Sequence, residues 1–149
     1  MKNLLPVLML CILFFSCADE KSNAKTDVRK EAGEKNIALT RELVANMNKQ
    51  DWKAVAAFYV DSPMMMTSPD GVEFKKSSHN EIIEQHTGLA NMIKDLRFDI
   101  TSIVADSNRV AYEFTATGII NGRKNIMPLS CFATFENGKI TRDATYFDE

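Results

Sequence analysis

Two Asn-Gly pairs, Asn121-Gly122 and Asn137-Gly138, stand between stretches of alternating apolar and polar residues. They constrain the fold more than any other feature of the chain. Asn-Gly accepts the positive φ angles of a two-residue turn, so each pair predicts a tight antiparallel hairpin. The stretches beside them read as strands. Val110, Tyr112, Phe114 and Ala116 alternate up to Gly118, residues 124–135 form the next strand, and Ile140 to Phe147 the last. Upstream, Leu96, Phe98 and Ile100 alternate in a strand that ends near Asp106-Ser107-Asn108. Four consecutive antiparallel strands with one apolar face need something to cover that face.

Helical spacing supplies the cover. Ile37, Val44 and Met47, with Leu43 beside them, predict a helix from Asn36 to Lys49. Asp51 caps a second helix through about Tyr59, with Trp52, Val55, Ala56 and Tyr59 on one face and Pro63 ending it. Met64 to Thr67 and Val72 to Phe74 read as short strands about the Pro69-Asp70-Gly71 turn. Ser78 and Glu81 form a capping-box pattern that starts a third helix toward Met92. The class is α+β, with helices grouped on one face of a curved sheet.

The N-terminus is of another kind. One positive charge at Lys2 precedes an apolar run, Leu4 to Phe15, and then Ser16-Cys17. These are the parts of a secretory signal, and the run is too short to cross a bilayer. Phe14-Phe15-Ser16-Cys17 resembles the bacterial lipobox, which implies that residues 1–16 are removed and Cys17 is acylated. Asp19-Glu20 resemble the surface-export signal of some Gram-negative lipoproteins. Residues 17–34 then read as a tether whose distal part feeds the first helix, and 35–149 as the folded domain. The expected location is the bacterial cell envelope, on the outer membrane, with the lipid on Cys17 as the membrane contact.

Loss of Lys2 with the signal takes the formal net charge from −2 to −3. No basic cluster marks a nucleic-acid partner. Of the three cysteines, Cys11 leaves with the signal and Cys17 carries lipid, so Cys131 has no intramolecular disulfide partner. Two histidines and one thiol give no metal-ligand spacing, no Gly-rich phosphate loop is present, and no cofactor is expected.

Asn48-Lys49-Gln50-Asp51-Trp52 between the first helices, the Pro69-Asp70-Gly71 turn, and Phe135-Glu136-Asn137-Gly138-Lys139-Ile140 with Tyr146-Phe147-Asp148 resemble the NTF2-like superfamily in its SnoaL-like branch. The resemblance covers about residues 35–149. It implies a cone: three helices packed on a strongly bent, mainly antiparallel sheet that encloses a pocket and often pairs as a homodimer. Fold alone licenses no chemistry. The position of the ketosteroid isomerase base falls on Ser68, and its two oxyanion groups fall on Leu43 and near Pro128. The charged trio of limonene epoxide hydrolase falls on Phe114, Ala116 and Thr145, and its water-holding pair on Met65 and Thr67. None of these residues fills its role.

The resemblance to the SnoaL-branch cyclases, which use an acid on a late strand, leaves Asp143. It is placed on the pocket side of the last strand with Thr145 and Phe147. One reading makes it a general acid/base with a carboxyl raised by burial. The preferred, simpler reading is an exposed strand-end Asp paired with a nearby Arg or Lys. Tyr112, Phe114 and Ala116, with Thr145 and Phe147, are the expected pocket lining.

His79 and His86, seven apart on the third helix, suggest a proton relay. The simpler reading puts His79 in the first turn and His86 on a solvated face. Met64-Met65-Met66 is core packing rather than a copper site, and Trp52, Phe58 and Tyr59 are core cover. Cys131 reads as a small buried apolar residue. The leading expectation is a non-catalytic domain that binds a small, mostly apolar ligand or acts as a dimerising accessory module. The alternative is an isomerase, cyclase or hydrolase using Asp143. A third is a filled interior with the sheet face as a protein-interaction surface.

Overall fold

The computed structural model describes residues 19–68 and 72–147. Cys17 with its signal, and the Pro69-Asp70-Gly71 turn, lie outside the described residues. The first helix, α1, runs Asp19–Asn48, far longer than the spacing of its apolar residues required. Residues 19–34, read from sequence as a tether, are helical. Glu, Lys, Ala and Arg favour helix and outweigh Gly33 and the weaker Ser, Asn, Thr, Asp and Val positions.

Gly33 marks the point where α1 crosses the sheet. A Cβ there would lie 3.4 Å from the Ala105 Cβ. Arg29 grips both oxygens of Asp106 at 2.7 and 2.8 Å, and Asn36 donates to the Ser107 carbonyl at 2.9 Å. At the other end Asn48 mimics a strand neighbour. Its side-chain amide donates to the Phe98 carbonyl and accepts from the Phe98 N–H, both at 2.7 Å. The buried face between carries Thr40, Leu43 and Val44.

Helix α2 is only Trp52–Ala56, capped by Asp51, whose carboxylate accepts from the Ala54 N–H at 3.0 Å. Tyr59 does not end this helix. It opens β1, Tyr59–Thr67, whose register shifts between Tyr59 and Met64. Pro63 sits in that irregular stretch, where a residue without an N–H is tolerated. The second short strand, β2, is Lys75–Lys76 rather than Val72 to Phe74. Helix α3, His79–Met92, starts at the expected box: the Ser78 N–H donates to Glu81 at 2.6 Å and the Glu81 N–H to Ser78 Oγ at 3.3 Å.

Four long strands follow: β3 Lys94–Asp106, β4 Arg109–Ile120, β5 Arg123–Glu136 and β6 Lys139–Phe147. Both Asn-Gly pairs turn hairpins with positive φ at each residue. The six strands form one sheet in the order β2-β1-β6-β5-β4-β3, antiparallel except for the parallel β1–β6 pair. Register shifts within β3 and between Thr134 and Phe135 help to bend it. Gly118 lies inside β4 rather than ending it; a Cβ there would come within 2.2 Å of Ile93 Cγ2. The resulting α+β architecture is a curved mixed sheet whose inner face, with Val110, Tyr112, Phe114, Ala116, Cys131, Ala133 and Phe135, is buried beneath the helices. Among the described residues no helix is long and apolar enough to cross a membrane.

Candidate functional site

Asp143 is 3% exposed, so the simpler sequence reading of a surface Asp fails. The cause is its place in the sheet. It pairs with Ala133 of β5 and Met65 of β1, on the inner side of a strand flanked on both edges. No Lys or Arg among the described residues pairs with it. Three donors hold it instead. Tyr59 Oη donates to Oδ2 at 2.9 Å, and Cys131 Sγ and Thr145 Oγ1 donate to Oδ1 at 3.1 and 3.2 Å. Three donors on two oxygens is the arrangement of an ionised carboxylate, which only accepts.

The register explains who meets whom. Thr145 lies opposite Cys131, and Cys131 opposite Tyr112, in one row across β6, β5 and β4. The Tyr112 hydroxyl hydrogen-bonds the Cys131 sulfur. Tyr59 arrives from the start of β1, 84 residues away. No buried side-chain nitrogen or oxygen among the described residues lacks a partner.

Burial, and then the Asp143 charge, push the Tyr59 hydroxyl well above its ordinary value. Burial and then Cys131 do the same to Tyr112. The Cys131 thiol is raised by burial and then by Asp143, so it is no nucleophile. Raised groups hold their protons in the folded state. The stability they contribute is complete below their unfolded values and is lost as pH rises through the folded ones. The urea midpoint is therefore expected to fall as pH climbs above about 9, through Cys131 first and then through the tyrosines above about 10. In an ultraviolet titration two of the three tyrosines should ionise only as the protein unfolds. Ionisation of all three with the fold intact would contradict this burial.

His86 is not on a solvated face. Its ring packs against Trp52, with centroids 5.4 Å apart, and Nδ1 donates to the Ile82 carbonyl at 2.8 Å. Burial lowers its pKa, opposed by that bond and by the Asp143 charge. His79 sits in the first turn of α3, its Nε2 within 3.2 Å of the Tyr59 carbonyl and 3.1 Å of the Val60 carbonyl. It serves the backbone of β1, and nothing links it to His86 as a relay.

The expected lining residues share the inner face. Tyr112, Phe114 and Ala116 are core residues, while Thr145 and Phe147 are half-buried. Beside Ala116 the described residues leave a cavity of about 10 Å³, room for one water at most. A larger open cleft of about 460 Å³ lies at the β4–β5 hairpin along Asn121, Arg123 and Lys124. Asp143 lines neither. Among the described residues no three His, Cys, Asp or Glu side chains are grouped as metal ligands.

A family model of the SnoaL-like domain matches residues 40–143. The chain belongs to the SnoaL-like family. No curated protein matches it in sequence. The fold agrees with solved SnoaL-like and ketosteroid-isomerase-like structures. PrhC from Penicillium brasilianum superposes with a TM-score of 0.69 at 16% identity, over 78% of this chain and 82% of its own. A candidate polyketide cyclase from Xanthomonas campestris gives 0.66 at 19%, over 78% and 93%. An LEH-like epoxide hydrolase from M. tuberculosis gives 0.65 at 18%, over 78% and 84%. These identities carry the NTF2-like cone and no chemistry.

At two positions that the resemblance set against ketosteroid isomerase groups, the side chains of this SnoaL-like domain are apolar. Leu43 is core at 1% exposure. Pro128 is exposed, and its inward neighbours Met127 and Leu129 are apolar too. Sequence reasoning missed Tyr59 as a site residue, because its helical spacing from Trp52 concealed a strand start.

Proposed function

We propose that the chain is an envelope lipoprotein whose SnoaL-like domain binds a small, mostly apolar molecule on the inner sheet face at Asp143. One observation carries this reading: a buried carboxylate held by three donors and no cation. Burying an unpaired charge costs several kcal/mol, and such groups concentrate at functional sites. Trp52, Met65, Leu129 and Phe147, all half-buried, are the side chains that entry would displace. The test is a titration of small apolar fragments into the ¹⁵N-labelled full chain in detergent, followed by amide shifts. Perturbations gathered at Met65, Leu129, Thr145 and Phe147 support the site. Perturbations confined to the outer face, or none, overturn it.

The same carboxylate favours a second reading in which Asp143 is the acid/base of an isomerase, cyclase or hydrolase. A pairing surface has its own observation. Phe132 and Tyr146, 49% and 42% exposed, stack edge-to-face at 6.0 Å on the outer sheet face. Homodimerisation there predicts that Phe132→Glu yields a monomer in sedimentation velocity where the wild type is a dimer. A wild-type monomer sinks it.

Lipidation of Cys17 predicts that Cys17→Ala moves the protein from the membrane to the soluble fraction. Unchanged fractionation would remove the anchor from this reading.

A further inference from the structure

The proposed site at Asp143 has a polarity, and the polarity selects a ligand. An ionised carboxylate offers about four lone-pair sites. Cys131 and Thr145 occupy Oδ1, and Tyr59 alone occupies Oδ2, which keeps one acceptor position.

The hydroxyl and thiol donors, by contrast, are already used. The Tyr59, Cys131 and Thr145 hydrogens point at Asp143, and that of Tyr112 at Cys131. The neighbouring cation is turned away too, since the Arg142 guanidinium lies 3.7 Å over the Phe74 ring. The site thus has acceptors, one negative charge and the aromatic rings of Trp52, Tyr112 and Phe114. At the carboxylate itself the hydroxyl and thiol hydrogens are committed, and its charge repels a carboxylate ligand.

We infer that the ligand of this site is a protonated amine on an apolar body, its N–H donating to Asp143 Oδ2. The charge is matched by the carboxylate and by the ring faces, which attract cations. This rests on the reading of the inner face as a ligand site, and it turns that site away from oxyanion-stabilising chemistry.

Three probes of one shape test it at pH 7 on the full chain in detergent, by calorimetry: 2-phenylethylamine, 2-phenylethanol and phenylacetate. The amine is expected to bind roughly tenfold tighter than the alcohol, or more, and phenylacetate most weakly. Asp143→Asn should erase the advantage of the amine over the alcohol; the wild-type ranking decides the matter even where that variant fails to fold. Equal binding of amine and alcohol, or preference for phenylacetate, overturns the cation assignment and leaves the site standing. No binding by any of the three overturns the site and the assignment together.

Discussion

Leu43→Ala is expected to lower the unfolding free energy by about 3 kcal/mol. Leu43 is 1% exposed, on the face of α1 that meets the sheet, beside Thr40 and Val44. Truncation removes transfer energy and leaves a cavity that close-packed neighbours fill only in part. The helix cannot slide to close the gap. On either side of Leu43 it is pinned, by Arg29 on Asp106 and by the Asn48 amide on Phe98. Val28→Ala, at a position 66% exposed on the same helix, should stay within about 0.5 kcal/mol of wild type. Urea unfolding of both variants measures the contrast. Similar losses at the two positions would mean that α1 is not seated as described.

Tyr59→Phe is expected to cost about 2 kcal/mol, although it removes only one oxygen atom. The hydroxyl donates to a carboxylate that is 3% exposed and has no cation among the described residues. Hydrogen bonds to charged groups are the strong ones, and loss of a donor leaves the buried charge with two supports. The effect should depend on the charge. In an Asp143→Asn background the same substitution should cost at least about 1 kcal/mol less, a coupling typical of residues in one network. Equal costs in both backgrounds would mean that Tyr59 and Asp143 do not act together.

Much of the sheet was legible because its signals are local. Asn121-Gly122 and Asn137-Gly138 set two hairpins through their own backbone conformations, and Ser78 with Glu81 started α3 from within one turn. Asp51 did the same for α2. The errors fell where a local pattern served two structures. Trp52, Val55, Ala56 and Tyr59 fit a helix period, yet the chain leaves α2 after Ala56 and Tyr59 begins β1. The charged residues of 19–34 suit a solvated spacer and a solvated helix equally, and contact with the β3–β4 hairpin at Ala105 and Asp106 is not written in that segment.

The candidate site was legible in position but not in state. The resemblance to the SnoaL-like branch placed Asp143 inward on β6 with Thr145 and Phe147. Its burial depends on flanking strands β5 and β1, and its partners come from residues 59, 131 and 145. Thr141-Arg142-Asp143-Ala144 alone looks like a wet strand. His86 misled in another way: its polar chain neighbours Gln85 and Thr87 suggested a wet face, whereas its helical neighbours Ile82, Ile83, Leu89 and Ala90 are apolar and Trp52 of α2 packs on the ring.

Native mass spectrometry of the full chain, purified from its own host in non-denaturing detergent, tests the central claim most directly. The account expects one small molecule retained per chain, of a mass that identifies an apolar amine, and lost on Asp143→Asn. A wild-type protein that emerges empty under conditions that preserve its fold would contradict a ligand site at Asp143.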